Sequence, residues 1–168
     1  MHVNNSWCAL ALGSNLGDRH ALVESAIQAL GNLEGLTNLE SAPLYETEPV
    51  DCPKDSPNFL NTVVQARYTG DVFDLLDQTQ AIERQLGRQR TGTRNEARLI
   101  DIDLLLIDGV SLTTDRLTLP HPRIHERLFV LEPLAYLRPD FLLPNSTPII
   151  KAIEHLRTIE CSVEGDRR

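Results

Sequence analysis

The stretch Arg98-Leu-Ile-Asp-Ile-Asp-Leu-Leu-Leu-Ile107 has the length and the branched, apolar composition of a buried β-strand. The turn dipeptide Asp108-Gly109 ends it. Because successive side chains of a strand point to opposite faces, Asp101 and Asp103 share one face, with Cα atoms roughly 7 Å apart. Two carboxylates at that spacing can reach one divalent cation or hold a pair of cations between them. The stretch therefore predicts a core strand with two carboxylates spaced so that they could hold a metal.

A less specific interpretation is that the two aspartates lie on a solvated face and pair with arginines. Arg88, Arg90, Arg94 and Arg98 precede or begin the strand, and ion pairs on a surface are common and weak. Arginines beside carboxylates would equally suit a site for a metal–triphosphate complex. The pattern by itself leaves both interpretations open.

The composition indicates one globular domain over residues 1–168. A chain of 168 residues with 41% hydrophobic content can bury a core, and it holds no apolar run long enough to cross a bilayer. The N-terminal segment lacks a signal-peptide pattern. Cys8, Cys52 and Cys161 are widely spaced, which argues against a disulfide framework and a thiolate zinc site. We therefore expect a cytoplasmic protein whose last ~12 residues, which are polar, are frayed.

The charge distribution favours a small anionic ligand. The formal net charge of −8 argues against nucleic-acid and anionic-membrane partners. Basic residues are nevertheless concentrated between Arg84 and Arg98. Because no apolar stripe requires a partner subunit, we expect a monomer that binds small molecules.

Hydrophobic periodicity predicts the order strand, helix, strand, strand, helix, strand, followed by shorter elements. The predicted strands cover 7–12, 36–47, 58–68 and 98–107, and the predicted helices cover 19–30 and 71–86. They are followed by an extended segment at 117–122 and by two short helices, predicted over 124–131 and 147–156. This order predicts an α+β fold, a ferredoxin-like βαββαβ sandwich with helices on one face of an antiparallel sheet. A fold alone does not select a function.

Phe59 and Asn61 fall on the same face of their predicted strand. An aromatic plane beside an amide suits a flat heterocycle, which needs stacking and hydrogen bonds at its edge. The spacing is equally compatible with Phe59 in the core and Asn61 capping a loop.

Further polar groups cluster around the predicted helix 71–86 and the segment 116–129. Gln80 and Glu83 lie three residues apart, so they share one face of the predicted helix. That face could contact a nucleotide, or it could be an ordinary solvent-exposed polar face. Prolines stiffen the chain around His121. No second ligand stands at a zinc-like spacing from it, so we expect His121 to donate to phosphate rather than to bind metal.

Several motifs then occur in a fixed order along the chain. They are Ala11-Leu-Gly-Ser-Asn-Leu-Gly-Asp18, Tyr45-Glu-Thr-Glu-Pro-Val50, Pro57-Asn-Phe-Leu-Asn61, Arg98-Leu-Ile-Asp-Ile-Asp-Leu104 and Leu119-Pro-His-Pro-Arg-Ile-His-Glu-Arg127. Together they closely resemble the hydroxymethyl-dihydropterin pyrophosphokinase family of folate synthesis. The resemblance extends from about Leu10 to Pro144, which is almost the whole chain.

The resemblance implies an enzyme that moves the pyrophosphoryl group of ATP onto the hydroxymethyl group of a reduced pterin and releases AMP. It implies that Asp101 and Asp103 hold two Mg²⁺ ions. The pterin site implied in the same way comprises Thr47, Val50, Phe59, Asn61 and Phe129. The implied ATP site comprises Gln80, Glu83, Arg88, Arg90, Arg98, Ile102, Arg116, Thr118, His121 and Arg127, of which Arg88, Arg98 and His121 are the expected catalytic groups.

The chain departs from the family pattern in two loops that, by the resemblance, correspond to the family's mobile lids. Asn95-Glu-Ala-Arg98 stands where many members have Trp-Gly-Pro-Arg, and Asp51 stands where glycine is common. Two other functions also fit the residues. A nucleotidyltransferase would use the same aspartates but release pyrophosphate, and a ferredoxin-like ligand- or RNA-binding module would need no paired carboxylates.

Overall fold

A computed structural model of the chain describes residues 1–48, 57–88 and 98–165. In chain order the elements are β1 His2–Ser14, α1 Arg19–Gly31, β2 Leu36–Ser41, β3 Tyr45–Thr47, β4 Phe59–Asp71, α2 Val72–Gln85, β5 Asp101–Ile107, β6 Leu112–Thr113, β7 Thr118–Leu119, α3 Leu128–Leu137 and α4 Ile149–Gly165. None of the helices in these ranges has the length and apolar character that a membrane span requires.

The main sheet has the strand order β2-β4-β1-β5, and β3 pairs with the first residues of β4. All of these pairings are antiparallel. Since β4 lies between β1 and β2, the chain has the split arrangement typical of ferredoxin-like folds. The predicted α+β class and the βαββαβ order are therefore confirmed, and β6 and β7 form a separate two-stranded ribbon.

Helices cover both faces of the sheet rather than one. Leu10 and Leu104 face a core that includes residues of α1 and α2. Trp7 and Leu105 face a second core, which α3 and α4 complete. The expectation of helices on a single face is wrong because β1 is a continuous apolar run, and such a strand is typical of a sheet buried on both sides.

Aspartates cap the first two helices. Asp18 Oδ1 accepts the Ala21 N–H at 3.0 Å at the start of α1. Asp71 Oδ1 accepts the Phe73 N–H at 2.8 Å at the start of α2. Each bond satisfies a backbone donor that the first helical turn leaves free. Both helices therefore begin within a residue or so of their predicted starts.

Three predicted elements are corrected. The strand predicted over 36–47 is divided into β2 and β3 around Pro43, which cannot donate a ladder hydrogen bond. The helix predicted over 124–131 exists but begins and ends too early, because residues 122–125 form turns and α3 covers Leu128–Leu137. The last helix extends to Gly165 rather than ending at residue 156, so it includes most of the segment predicted to be frayed.

Candidate active site

A cavity of about 490 Å³ lies where the end of β1 meets the beginnings of β4 and β5. The structure brings most of the predicted site residues to its wall. They are Thr47, Phe59, Asn61, Gln80, Glu83, Arg88, Arg98, Asp101, Ile102, Asp103, Arg116, Thr118, His121, Arg127 and Phe129. The predicted residues Val50 and Arg90 lie outside the described residues, as do Asp51 and Asn95.

Asp101 and Asp103 project into the cavity from the same face of β5, and Ile102 between them is buried on the opposite face. Asp101 Oδ1 accepts a hydrogen bond from Arg88, and its Oδ2 accepts one from Arg98. The interpretation in which the aspartates pair with arginines thus describes Asp101. Asp103 forms only a looser ion pair, with Arg127.

Asp103 has less cationic compensation than its neighbour. Its Oδ2 lies 3.9 Å from Arg127 Nη1, and its side chain is 42% exposed. Loss of hydration at the cavity wall, followed by the charge of Asp101, raises the pKa of Asp103 to about 7. Asp103 therefore faces the negative charge of Asp101 with a more distant cationic partner than Asp101 has.

This donor set fits a divalent cation. Carboxylate oxygens are the protein ligands that Mg²⁺ prefers, and Mg²⁺ commonly takes one or two of them together with phosphates and water. Within the described ranges, no group of three or more His, Cys, Asp or Glu side chains is arranged to hold a metal on its own. A cation at Asp101 and Asp103 would consequently depend on ligands from a bound phosphate chain.

Glu83 of α2 is buried and is engaged by other protein groups. Its Oε1 accepts the Ile102 N–H at 2.8 Å and also pairs with Arg88. Burial raises the pKa of Glu83, while the Ile102 N–H and the Arg88 charge act in the opposite direction. Through these contacts Glu83 fixes α2 against β5 and holds Arg88 beside Asp101.

The other side of the cavity is aromatic and amide-bearing. Asn61 is 7% exposed, and its Nδ2 donates to Thr47 Oγ1 of β3 at 2.7 Å. Phe59 lies two residues earlier on the same face, and Phe129 enters the wall from α3. The Arg127 guanidinium lies 5.6 Å from the centre of the Phe129 ring. Two aromatic rings and a fixed amide are thus brought to one cavity.

His121 is held by backbone hydrogen bonds. Its own N–H donates to Leu105 O at 2.7 Å, and its Nδ1 accepts the Arg123 N–H at 3.1 Å. Burial, and then the charges of Arg127 and Arg123, lower the pKa of His121. A neutral ring whose Nδ1 accepts carries its proton on Nε2. His121 is therefore arranged as a hydrogen-bond donor at the cavity wall.

Arg116 and Thr118 line the cavity from the ribbon side. The exposed Arg116 side chain pairs with Asp77 of α2 and lies 5.6 Å from the centre of the Phe73 ring. The ion pair is exposed on both sides and contributes little to stability.

The sequence does not single out Asn15 and Gly13 as site residues. Asn15 Oδ1 accepts the Arg98 N–H at 2.8 Å, and its Nδ2 donates to Pro57 O at 3.3 Å. Asn15 is 2% exposed, so a buried amide joins the segments that lead to β4 and β5. Gly13 lines the cavity between those strands. The available signal for both residues was their place in the Ala11–Asp18 motif.

A family model described as 7,8-dihydro-6-hydroxymethylpterin-pyrophosphokinase (HPPK) matches residues 9–139. The chain belongs to the HPPK family. It is thus an ATP-dependent pyrophosphokinase of folate biosynthesis, as the resemblance of its motifs implied.

Two bacterial members of the HPPK family are similar to this chain over most of their length. The chain is 41% identical over 131 residues to the 2-amino-4-hydroxy-6-hydroxymethyldihydropteridine pyrophosphokinase of Bacillus subtilis, covering 78% of this chain and 77% of that protein. It is 39% identical over 159 residues to the Pseudomonas aeruginosa enzyme of the same name. That match covers 95% of this chain and 94% of the Pseudomonas protein.

Solved structures share the fold at low sequence identity. A crystal structure described as HPPK-DHPS in complex with substrates has a TM-score of 0.67 and 14% identity, and the match covers 94% of this chain and 44% of that chain. A Plasmodium falciparum HPPK-DHPS with pterin and p-hydroxybenzoate has a TM-score of 0.67 and 15% identity. That match covers 90% of this chain and 44% of the Plasmodium chain. This chain therefore spans less than half of these longer proteins.

Proposed function

We propose that the cavity binds ATP and 6-hydroxymethyl-7,8-dihydropterin side by side and transfers the pyrophosphoryl group between them, releasing AMP. The observation that carries this proposal is the shared face of Asp101 and Asp103, which opens into a cavity whose other side holds Phe59 and Asn61. One side suits a metal-bound phosphate chain, and the other suits a flat, polar-edged ring.

The phosphate side would act by positioning and charge neutralisation. Asp101 and Asp103 would hold two Mg²⁺ ions, which neutralise the triphosphate and polarise its oxygens when bound. Arg98 and Arg88 already point at Asp101 and would bind non-bridging oxygens as charge shifts toward the departing AMP. His121 would donate from Nε2 to a phosphate oxygen.

The remaining predicted nucleotide contacts would surround this phosphate site. Gln80 of α2 and the β5 segment at Ile102 would contact the nucleotide, and Glu83 would support both through the contacts described above. Arg116, Thr118 and Arg127, which also line the cavity, would contribute further contacts.

The pterin side would orient the acceptor. Phe59 and Phe129 would stack on the two faces of the ring, and Asn61 with Thr47 would bind its hydrogen-bonding edge. Holding donor and acceptor in one cavity replaces a bimolecular encounter by an oriented reaction. We assign no general base for the hydroxymethyl proton. We also propose that the protein is a monomer and that it is cytoplasmic.

Nucleotide analysis after incubation with ATP, MgCl₂ and reduced hydroxymethylpterin tests the proposed function. We expect AMP and a pyrophosphorylated pterin in equal amounts, and no AMP when the pterin is omitted. Release of pyrophosphate would instead support a nucleotidyltransferase. Binding of ATP without its consumption would support a ligand-binding module.

A further inference from the structure

Gly13 lies between the two halves of the proposed site. In the β-sheet it pairs with Asp101 of β5 on one side and with Asn61 of β4 on the other. A single residue of β1 therefore separates a proposed metal ligand from the amide proposed to bind the pterin edge. Gly13 itself lines the cavity.

The space at Gly13 is filled by the Asn61 amide. A Cβ atom on Gly13 would lie 2.6 Å from Asn61 Oδ1 and 3.8 Å from Phe59 Cδ1. The first distance is shorter than real Cβ contacts, so the amide would have to move. Asn61 is almost fully buried, and its Nδ2 is bonded to Thr47 Oγ1 at 2.7 Å. It cannot turn away without losing that hydrogen bond.

Backbone conformation does not require glycine at this position. Gly13 lies within a regular strand, and its φ is outside the left-handed region that favours glycine. Other residues can adopt that backbone without strain. The requirement for a missing side chain thus comes from the neighbouring amide and not from the fold of β1.

We propose that Gly13 is a positioning residue for the pterin, because its missing side chain lets Asn61 keep the orientation in which the amide presents its edge to the cavity. The inference rests on the proposed function, in which Asn61 binds the pterin. It predicts a selective effect: substitution at Gly13 should weaken pterin recognition and leave the ATP side unchanged, since the added methyl group meets Asn61 and not the arginines.

The test compares Gly13→Ala, Asn61→Ala and the double variant with wild type. We expect Gly13→Ala to raise the KM for the pterin by about tenfold, the scale of one lost hydrogen bond. The KM for ATP should change less than about twofold on the same scale. The double variant should resemble Asn61→Ala alone, because the atom that the methyl group meets is already gone.

Gly31→Ala provides the matched control. A Cβ atom on Gly31 would meet nothing within 4 Å, so this variant should keep both KM values. The proposal would be overturned if Gly13→Ala left the KM for the pterin unchanged or raised the KM values of both substrates equally. It would also be overturned if the effects of the two substitutions were fully additive in the double variant, or if Gly13→Ala failed to fold. If Asn61→Ala bound the pterin as tightly as wild type, the proposed pterin site itself would be wrong. That outcome is distinguishable from failure of the Gly13 proposal, because it does not depend on any substitution at Gly13.

Discussion

Asp103 Oδ2 lies 3.9 Å from Arg127 Nη1, which is beyond hydrogen-bond distance. The neighbouring carboxylate of Asp101 is bonded by both Arg88 and Arg98. The protein therefore neutralises one member of the pair with its own cations and leaves the other partly uncompensated. An uncompensated carboxylate beside a second one costs stability when no cation is bound.

Asp103→Asn should stabilise the metal-free protein at high pH. The pKa of Asp103 is about 7 in the folded chain, against an ordinary value of 3.8, so the folded state binds more protons between these values. The ionised group thus lowers stability increasingly as the pH rises toward 7, and fully above it. Because the side chain is 42% exposed, solvent screening reduces the effect, and we expect a Tm increase of roughly 3 to 6 °C at pH 8.

Thermal unfolding in EDTA at pH 8 and pH 4 measures this difference. At pH 4 the variant and wild type should have nearly the same Tm, and Asp115→Asn, which changes an exposed carboxylate, serves as the control. A variant that is less stable than wild type at pH 8 would show that Asp103 is already well compensated.

His121 should titrate below its ordinary pKa of 6.5 in the free protein and at a higher pH once Mg-ATP is bound. Burial and the nearby arginines favour the neutral ring, whereas phosphate charge favours the protonated one. With a lowered folded-state pKa, the contribution of His121 to stability is complete above pH 6.5 and is lost as the pH falls toward the folded value.

NMR titration of the imidazole resonances measures both pKa values of His121, and His121→Gln identifies the resonance. A free-protein pKa above 6.5, or no upward shift with Mg-ATP, would argue against a phosphate donor at this position.

Asn15→Ala should lower both stability and turnover. The substitution removes two part-buried hydrogen bonds, with the Arg98 N–H and with Pro57 O, at a cost of about 0.5–1.5 kcal/mol each. It also frees the backbone of Arg98, whose guanidinium pairs with Asp101, so kcat should fall. Thermal unfolding and steady-state kinetics give the two effects.

Asn32→Ala is the control for this change. Asn32 also donates from Nδ2, to Gln28 O at 3.0 Å, but the bond lies on an exposed surface. It should cost less than about 0.5 kcal/mol and leave kcat unchanged. Equal losses of stability in the two variants would remove the special role of Asn15.

The order of strands and helices along the chain and the bounds of the first two helices could be predicted because their signals are local. Apolar periodicity predicted α1 and α2, and the structure begins them within a residue of the predicted starts. The shared face of Asp101 and Asp103 followed from strand geometry alone. The helix predicted over 124–131 was placed too early, because residues 122–125 form turns and α3 begins at Leu128.

Contacts between distant residues could not be predicted in the same way. Asn15 forms hydrogen bonds with Arg98, 83 residues away in the sequence, and with Pro57, 42 residues away. No local sequence pattern encodes either contact. The close approach of Asn61 to Gly13 likewise depends on the register between β1 and β4. The burial of both sheet faces was visible in the continuous apolar run of β1, but α3 and α4 could be placed only by the structure.

The role of the paired aspartates is best tested by counting bound Mn²⁺, a substitute for Mg²⁺ that EPR detects, in the presence of a non-hydrolysable ATP analogue. We expect two ions per wild-type chain and at most one in Asp101→Asn or Asp103→Asn, with unchanged circular dichroism. If both variants bound two Mn²⁺ ions with wild-type affinity, Asp101 and Asp103 would not be the metal ligands.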